Sequence, residues 1–429
     1  MASISKLVTQ HRPELTEYLE LYQYFHANPE LSNQEHETAA HIAKHLKEKI
    51  SSEFDVRTGI GGTGIAALLF NGEGPTVLLR ADIDALPVEE RTGLPYASKK
   101  RMKDADGVEK PVMHACGHDM HITSLLAAAE LLVSAKSDWS GTLLLAFQPA
   151  EERGTGARAM VDDGMYSPEK HAVPIPDICL GGHVMPHRAG VLGTRRGLAA
   201  TSADSMRITL HGRGGHASQP HHLIDPVVMA ASTILKLQTI VSREIDPSEH
   251  TVVTVASIQA GDAENIIVDD ARIALDVRTS NAATREKVKR SIKRIVDAEA
   301  RAANAVKEPT YLVTRNFPLT INDDEVTARL EQTFRAHFPE DEHNYTADIP
   351  MLGGSEDFSI LATAVGKPYC FFMYGGTPQE VWDRCEAAGT LGEEVPINHS
   401  GLFYPAMMPT LRVAVDAYAA GALTWLAKK

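Results

Sequence analysis

Two stretches near the start of the chain repeat apolar residues at a spacing of three to four positions. They are "RPELTEYLELYQYFHANPE" and "NQEHETAAHIAKHLKEKI". Because this spacing places apolar side chains along one face of a helix, both stretches are predicted to be helices.

Short apolar runs then alternate with helical stretches. The runs "GIAALLF", "TVLLRADIDALP", "GTLLLAFQPAEE" and "DICLGGHV" predict buried strands, and "ITSLLAAAELLVSA" predicts a helix between two of them. This alternation is typical of an α/β fold in which a largely parallel sheet lies between helices. Asp82, Glu151 and His183 are each predicted at the C-terminal end of a strand, where open α/β sheets place their ligands.

The pattern changes near Thr201. "DSMRITLHGRGG", "TVVTVASIQAG" and "ARIALDVRTS" predict strands, and "DPVVMAASTILKLQTIVS" and "NAATREKVKRSIKRIVDAEARAAN" predict helices. We therefore predict that residues 201–311 form an inserted α+β domain, with two helices on an antiparallel sheet. Residues 1–200 and 312–429 would form the larger α/β domain.

Composition narrows the possible partners and setting. A chain of 429 residues is expected to have two or more domains, and its net charge of −14 argues against nucleic acid and anionic membranes as partners. Four scattered cysteines are too few for a disulfide framework and favour a reducing, cytoplasmic setting. The first twenty residues lack the apolar core of a signal peptide, and no apolar run is long enough to span a bilayer.

Histidine is the unusual component, since the chain has nineteen. The stretch "MHACGHDMH", residues 113–121, offers the thiolate of Cys116 and the imidazole of His118 two positions apart, so both can face one metal ion. A triplet of this kind can also be structural or accidental. The stretch alone assigns no role to His114 or His121.

The stretch "QPAEERGTGA" places Glu151 and Glu152 side by side. Adjacent acids are common on exposed helix faces, but here they follow a buried strand, which favours a site. One carboxylate can bind a metal while the other carries a proton. His183 and His399 could each be an ordinary core or loop residue. Their occurrence in this order with the other motifs favours a metal site.

Seven motifs in order carry a family resemblance: "RADIDALP", "MHACGHDMH", "QPAEE", "GGHVMP", "GRGGHASQPH", "GGSEDF" and "NHSGLF". Together they resemble a family of dinuclear metallopeptidases and aminoacylases. The branch they resemble contains hippurate hydrolases, N-acyl-amino-acid amidohydrolases and plant auxin–amino-acid-conjugate hydrolases. Carboxypeptidase G and bacterial dipeptidases belong to the wider family. The resemblance runs from the first helix to the last and includes the inserted domain.

The resemblance implies a ligand set for two divalent ions. Cys116 would bridge them, His118 and His183 would complete one site, and Glu152 and His399 would complete the other. Zinc suits the thiolate best, and manganese, cobalt or nickel also suit such ligands.

The resemblance also implies roles around the ions. Glu151 would be the general base, and Asp82 would lie behind a ligand and fix its orientation. More distant relatives carry a histidine ligand where this chain has Arg80. The resembled branch lacks that histidine as well and uses the imidazole of "CGH", so the ligand is assigned to His118.

The stretch "GRGGHASQP" allows two interpretations. A phosphate-binding loop is one, but the stretch has no lysine and no acidic partner about twenty residues later. The resemblance implies the other: His216 reaches the active site of the second subunit of a dimer, through the inserted lid or dimerisation domain. There it would donate a hydrogen bond to the oxyanion of the intermediate.

Five positions are carried over as binders of the substrate's carboxylate. An arginine suits this anion because a planar guanidinium can donate two parallel hydrogen bonds. For Arg278 the alternative is a strand-edge arginine that faces water, and both interpretations stay open. The five positions are Asn265, Arg278, Gly353, Gly354 and Ser355.

The expected function is hydrolysis of the amide that links an acyl group to a small amino acid. The substrate could instead be a dipeptide or an aminobenzoyl-glutamate, and a non-catalytic alternative is a metal-binding scaffold that has lost turnover. The expected partners are this small-molecule substrate and a second copy of the chain. "DRCEAAGTLGEEVP", residues 383–396, is a candidate wall of the acyl-group pocket.

Overall fold

The structure is a computed structural model that describes residues 3–338 and 344–428. Its helices are α1 (Ile4–His11), α2 (Thr16–Ala27), α3 (His36–His45), α4 (His118–Ser134), α5 (Gly156–Asp162), α6 (Pro226–Thr239), α7 (Ala282–Ala302), α8 (Asp324–His337), α9 (Ser359–Thr363), α10 (Gln379–Ala388), α11 (Leu391–Glu394) and α12 (Met407–Leu426). Its strands are β1 (Asp55–Ile60), β2 (Gly64–Asn71), β3 (Thr76–Asp82), β4 (Arg101–Lys103), β5 (Glu109–Pro111), β6 (Gly141–Gln148), β7 (Ile178–Arg188), β8 (Leu192–Gly193), β9 (Gly197–Ala200), β10 (Ser202–His211), β11 (Gly215–His216), β12 (Thr251–Gln259), β13 (Ile266–Ile267), β14 (Asp270–Thr279), β15 (Thr310–Phe317), β16 (Thr320–Asn322), β17 (Tyr345–Thr346) and β18 (Tyr369–Thr377).

The chain divides into two compact units. The larger contains Met1–Ala199, Ile321–Pro350 and Asp357–Lys429, and the smaller contains Ala200–Thr320 and Met351–Glu356. The predicted border at residue 311 therefore falls inside β15. That strand belongs to the smaller unit because it pairs along β10 in its sheet.

The larger unit is built on an eight-stranded sheet in the order β1-β2-β6-β3-β7-β18-β8-β17. Its four central strands, β6, β3, β7 and β18, are mutually parallel, and antiparallel pairs flank them. The central strands are buried nearly throughout, which explains why their sequences read as continuous apolar runs. The predicted α/β class with a mostly parallel sheet is confirmed.

The strand ends differ from the prediction at one position. Asp82 is the last residue of β3, and Glu151 follows three residues after the end of β6. His183, however, lies in the middle of β7, which continues to Arg188. The strand extends because it keeps pairing with β18, where the partner of His183 is Met373.

The smaller unit is a four-stranded antiparallel sheet in the order β12-β14-β10-β15, as predicted for an α+β domain. Helices α6 and α7 pack on it around their own apolar cluster. The side chains of Asp225 and Asn281 cap these helices by accepting backbone N–H groups of the first turn. Burial alternates along β14, which fits a sheet with one covered face.

Within residues 3–338 and 344–428, every helix is either too short or too polar to cross a membrane.

Candidate metal centre

The first two candidate ligands lie at the start of α4. Cys116 precedes the helix, His118 is its first residue, and Gly117 between them has a left-handed backbone with φ of 83°. A Cβ atom at Gly117 would lie 2.4 Å from Cγ1 of Val184, so a larger residue cannot be accommodated without movement. This glycine lets the loop approach β7 closely enough for Sγ of Cys116 to lie 3.5 Å from Nε2 of His183.

The turn after β6 presents the two adjacent acids. Oδ1 of Asp84 accepts the backbone N–H of Glu151 and Oδ2 accepts that of Glu152, each at 3.1 Å. The preceding residue, Ala150, has a positive φ of 47°, and its N–H is accepted by Oε1 of Glu35 at 2.9 Å. Three consecutive amides of this turn are thus held by two buried carboxylates, which offsets the cost of the unusual backbone.

The five candidate ligands converge within the larger unit. The ligand atoms of Cys116, His118 and Glu152 all lie within 4.8 Å of one another. Nε2 of His399 lies 3.3 Å from Oε2 of Glu152, and Nε2 of His118 lies 3.9 Å from Oε1 of the same residue. His183 also belongs to this group, because its Nε2 lies 3.5 Å from Sγ of Cys116. Donors from four separate segments therefore face one small space.

Two buried atoms of this cluster fit a metal ion particularly well. Nε2 of His118 and Oε1 of Glu152 have no hydrogen-bond partner among the described residues. Nδ1 of His118 lies 2.8 Å from the carbonyl oxygen of Asp84, and Nδ1 of His183 lies 2.7 Å from that of Val184. Each Nδ1 must then carry the proton, which leaves the Nε2 lone pair directed at the cluster. Unpaired sulfur, nitrogen and oxygen donors of this kind suit a divalent cation.

The charges of the cluster are unbalanced without a cation. Burial raises the pKa of the Cys116 thiol well above its usual range, and the nearby carboxylates of Glu152 and Glu151 raise it further. Burial alone would lower the pKa of His118, but Asp82 and Asp84 raise it to about 10. A bound cation would take the place of the protons that the nearby carboxylates otherwise favour on Cys116 and His118.

His121 has a structural role that the sequence did not assign. Its Nδ1 lies 2.5 Å from Oδ1 of Asp82, and its Nε2 accepts the backbone N–H of Val184 at 2.9 Å. Both ring nitrogens are therefore engaged, and His121 acts as a support rather than as a ligand. The available signal was its position three residues after His118 on one face of α4.

Asp82 lies beside two candidate ligands, with a carboxylate oxygen within 4.8 Å of ligand atoms of His118 and His183, and its role in fixing their orientation stays a prediction. Its carboxylate binds His121 and forms a buried ion pair with Arg80 at 2.8 Å. Oδ2 lies 3.4 Å from Nε2 of His118, on the side of the ring that faces the cluster. The carbonyl oxygen of Asp84 contacts the other ring nitrogen of His118. Arg80, where distant relatives carry a ligand, also binds Gln148 within the core.

Sequence reasoning missed Asp84 and Glu35. The repeated aspartate in "RADIDALP" was a signal for Asp84, since both aspartates follow β3. Nothing in the local pattern singled out Glu35, whose pKa burial and Asp84 raise to about 7. His114 is buried beside Cys116, and burial lowers its pKa to about 4.

The candidates of the smaller unit lie at its surface. His216 is in β11, which pairs with β13, and Asn265 immediately precedes β13. Both residues are exposed. Nδ1 of His216 accepts the backbone N–H of Ser218 at 3.2 Å, so a neutral His216 ring carries its proton on Nε2.

Arg278 lies on a central strand, β14, and is not the strand-edge arginine of the alternative interpretation. Its guanidinium already binds Asp276 at 2.7 Å and the hydroxyl of Ser355 at 3.0 Å. The Thr201 hydroxyl lies 3.2 Å from the carbonyl of Gly353, and 3.1 Å from that of Gly354. Arg278 and Ser355 are therefore brought together within this unit.

Comparison with known proteins finds relatives that match most of the chain. The chain is 38% identical over 355 residues to the N-acetyl-L-cysteine deacetylase of Bacillus subtilis (strain 168), covering 82% of this chain and 79% of that one. It is 38% identical over 358 residues to the hippurate hydrolase of Campylobacter jejuni, covering 83% and 87%. A dinuclear metal binding peptidase of Bacillus subtilis has a similar structure, with a TM-score of 0.70 and 27% identity over 95% of this chain and 97% of that one. Residues 78–386 match the model of peptidase family M20/M25/M40. The chain belongs to this family.

Proposed function

We propose that the protein is a metal-dependent amidohydrolase that cleaves N-acyl-amino acids to a carboxylic acid and a free amino acid. The observation that carries this proposal is the converging ligand cluster with unpartnered His118 and Glu152 atoms next to a second acid, Glu151. The relatives support it, because the names of two of them describe hydrolysis of an acyl group from an amino acid.

Two divalent cations would be held by Cys116 together with His118 and His183 on one side and Glu152 and His399 on the other. The thiolate favours zinc, while manganese, cobalt and nickel suit the remaining donors. When bound, the ions would acidify a water molecule and polarise the amide carbonyl.

Glu151 would carry the proton. Its carboxylate is buried and belongs to the same turn as Glu152, but it lies within 4.8 Å of a carboxylate oxygen of Asp357 rather than in the ligand group. Glu151 would accept a proton from water during attack on the carbonyl. It would then donate that proton to the nitrogen of the departing amino acid.

His216 would act across a subunit boundary in a homodimer. Its Nε2–H, set by the bond from Ser218 to Nδ1, can donate to the negative oxygen that forms during attack. The partner subunit's His216 would serve each active site, while Asn265 would bind the carboxylate of the substrate. The smaller unit would therefore be both lid and dimerisation domain.

Arg278 would bind the carboxylate of the amino-acid product, with Ser355 beside it. Asp276 holds the guanidinium in place and leaves part of its donor fork for the substrate. Gly353 and Gly354 would add backbone donors to the same anion. The four buried cysteines are free, which supports work in the reducing cytoplasm.

The test is hydrolysis of a panel of acyl-amino acids, dipeptides and aminobenzoyl-glutamate by protein reconstituted with zinc, manganese, cobalt or nickel. We expect amino-acid release from acyl-amino acids, two metal equivalents per chain, and loss of activity after chelation. Glu151→Gln should keep the metals and reduce kcat by about 10³-fold or more. Glu169→Gln, at an exposed acid of the same unit, is the matched control.

Bound metal without turnover on any of these compounds would instead identify a scaffold. If the protein cleaved dipeptides better than acyl-amino acids, it would be a dipeptidase. Near-normal turnover in Glu151→Gln would exclude this residue as the proton carrier.

A further inference from the structure

The two adjacent acids lie in a loop of residues 149–156, which we call the acid loop. This loop closes on itself, since the backbone N–H groups of Thr155 and Gly156 both donate to the carbonyl oxygen of Ala150, at 3.3 and 3.2 Å. A Cβ atom at Gly156 would lie 1.5 Å from the carbonyl oxygen of Pro149, so the loop can close this tightly only with a glycine at its end. The placement of both acids therefore depends on what holds the two ends of the acid loop.

The carboxylate of Asp357 binds both ends of the acid loop. Its Oδ1 accepts a hydrogen bond of 2.6 Å from the side-chain amide of Gln148, the residue just before the loop. Its Oδ2 accepts the backbone N–H of Ala157, the residue just after the loop, at 3.1 Å. We call these two hydrogen bonds the Asp357 bridge. Asp357 and Gln148 are fully buried, so water does not compete for the bridge.

Arg80 connects the Asp357 bridge to Asp82. Its Nη1 donates to Oδ2 of Asp82 at 2.8 Å, and its Nε donates to Oε1 of Gln148 at 2.9 Å. Its Nη2 lies 3.6 Å from Oδ1 of Asp357, and its guanidinium carbon lies 5.9 Å from the centre of the Phe358 ring. Because buried carboxylates need donors and an opposite charge, one guanidinium here serves two aspartates.

The two aspartates contact different parts of the proposed site. Oδ1 of Asp82 lies 2.5 Å from Nδ1 of His121, and Oδ2 lies 3.4 Å from Nε2 of His118. A carboxylate oxygen of Asp357 lies within 4.8 Å of a carboxylate oxygen of Glu151. Within the larger unit, one buried network therefore runs from the proposed metal ligands to the proposed proton carrier.

We propose that Asp357 is a positioning residue of the metal centre. It holds the acid loop so that Glu152 faces the ligand cluster and Glu151 stays apart as the proton carrier, and Arg80 supplies the positive charge that keeps Asp357 and Asp82 in the core. The inference rests on the proposed function, because it assumes these roles for the two acids. Without the Asp357 bridge the loop would shift, so metal binding and proton transfer would be impaired together.

Two variants test the bridge by breaking it and by rebuilding it. Asp357→Asn places an amino group against one of two donors, the side-chain amide of Gln148 or the N–H of Ala157. Adding Gln148→Glu restores a matched pair, because the amide at position 357 can donate to the carboxylate at position 148 and still accept the N–H of Ala157. The double variant also keeps one negative charge beside Arg80. It gives up the 3.5 Å hydrogen bond from Gln148 to the carbonyl oxygen of Pro149, so we expect partial recovery.

Asp416→Asn is the matched control. Asp416 is a buried carboxylate of α12 in the same unit, and it accepts hydrogen bonds of 2.6 Å from both Nε and Nη2 of Arg12. For each protein, affinity for zinc would be measured by competition with a chelator, and stability by thermal unfolding without metal. The values of kcat and KM would be measured for hydrolysis of benzoyl-glycine by the zinc-loaded protein.

For Asp357→Asn we expect zinc affinity and kcat each to fall about 10- to 100-fold, with KM changed by less than about threefold. The double variant should return both quantities to within about fivefold of wild type. The control should lower Tm and keep wild-type zinc affinity and kcat, because Asp416 binds Arg12 and not the acid loop.

Unchanged zinc affinity and kcat in folded Asp357→Asn would overturn the inference, and so would a double variant as impaired as the single one. Gln148→Met removes one arm of the bridge and keeps its charge, so it applies the same criterion if Asp357→Asn does not fold. Wild-type protein that binds zinc but does not cleave benzoyl-glycine would count against the proposed function. The zinc affinities of the variants would still decide whether Asp357 positions the acid loop.

Discussion

The metal cluster of the larger unit and the two-stranded β11–β13 sheet that carries His216 in the smaller unit are built in opposite ways. In the cluster, side chains from β3, α4, β7 and the turn after β6 are buried and hold one another through bonds that cross the sequence. The residues His216 and Asn265 are exposed, and the side-chain hydrogen bonds of His216 run to Ser218, two residues later. Ligands in the first region are thus prearranged within one chain. The second region presents a donor that is free to meet something else.

This difference separates two kinds of functional residue. A preorganised cluster can bind ions in an isolated subunit, because its geometry is fixed by its own core. An exposed donor such as His216 contributes to catalysis only where it meets a second surface and the two together form an active site. Binding of metal and rate of turnover should therefore respond to different substitutions.

The largest effect expected from this comparison concerns His216. His216→Ala should bind metal normally and reduce kcat by about 10²–10³-fold, because it removes a donor to the oxyanion. His222→Ala, at an exposed histidine nearby, should change little. Metal content and steady-state kinetics measure the two effects separately.

Mixed subunits sharpen the same prediction. Heterodimers made by coexpressing His216→Ala with Glu151→Gln should recover part of the activity, since one of their two sites has an intact base and an intact donor. If these mixtures stay as inactive as their parents, the histidine does not act across subunits.

An intermediate effect is expected at Asp84. Asp84→Asn keeps the carbonyl that orients His118 but replaces one acceptor of the turn by an amino group, which faces a backbone N–H. Affinity for metal should fall about 10- to 100-fold while the secondary structure is retained. Competition with a chelator and circular dichroism measure these two quantities.

The control for Asp84, which follows the C-terminal end of β3, is Asp177, which contacts the N-terminal end of β3. Asp177 accepts the N–H of Thr76 at 2.9 Å, so Asp177→Asn makes an equivalent change far along β3. If both variants bound metal equally well in competition with the chelator, Asp84 would not be needed to arrange the ligands. The contrast drawn between the two regions would then be wrong.

The smallest effect concerns stability against pH. Burial opposes charge on His26, but its hydrogen bonds to the carboxylates of Asp119 and Glu90 raise its pKa to about 9, above the unfolded value of 6.5. Its contribution to stability is therefore fully present below pH 6.5 and is lost as the pH rises through 9. The Tm of metal-loaded protein should fall by about 2–4 °C over this interval.

Glu90→Gln should move that loss of Tm to lower pH, because one of the two acids that hold the charged ring is gone. Glu53→Gln, at an exposed ion pair with Lys136, should follow the wild-type curve. Superimposable pH profiles for Glu90→Gln and wild type would show that His26 is not charged in the native state.

The sequence allowed prediction of those parts of the molecule whose signal is local. The buried strands β3 and β6 and helix α4 were visible as apolar runs, and the candidate ligands stood beside them. The strand β15 was missed because "TYLVTRNF" is largely exposed and carries no clear alternation. The extension of β7 beyond His183 depends on β18, which lies almost two hundred residues away.

The supports of the site were harder to predict for a different reason. Glu35 and Asp84 bind backbone N–H groups, and every residue except proline has one, so no pairing of residue types identifies them. His121 could be grouped with the loop histidines, but its engagement by Val184 depends on where α4 meets β7. The roles of His216 and Asn265 stay predictions, since they depend on a second subunit.

Glu151 and Glu152, which follow the left-handed backbone at Ala150, have separate surroundings although they are consecutive and chemically identical. Glu152 faces His118 and His399, while Glu151 lies near Asp357. The two acids therefore differ in their surroundings and not in their identity, and the proposed roles of proton carrier and metal ligand rest on that difference. Inserting or deleting a single residue just before this pair would move one glutamate into the place of the other and leave the vacated place without a carboxylate.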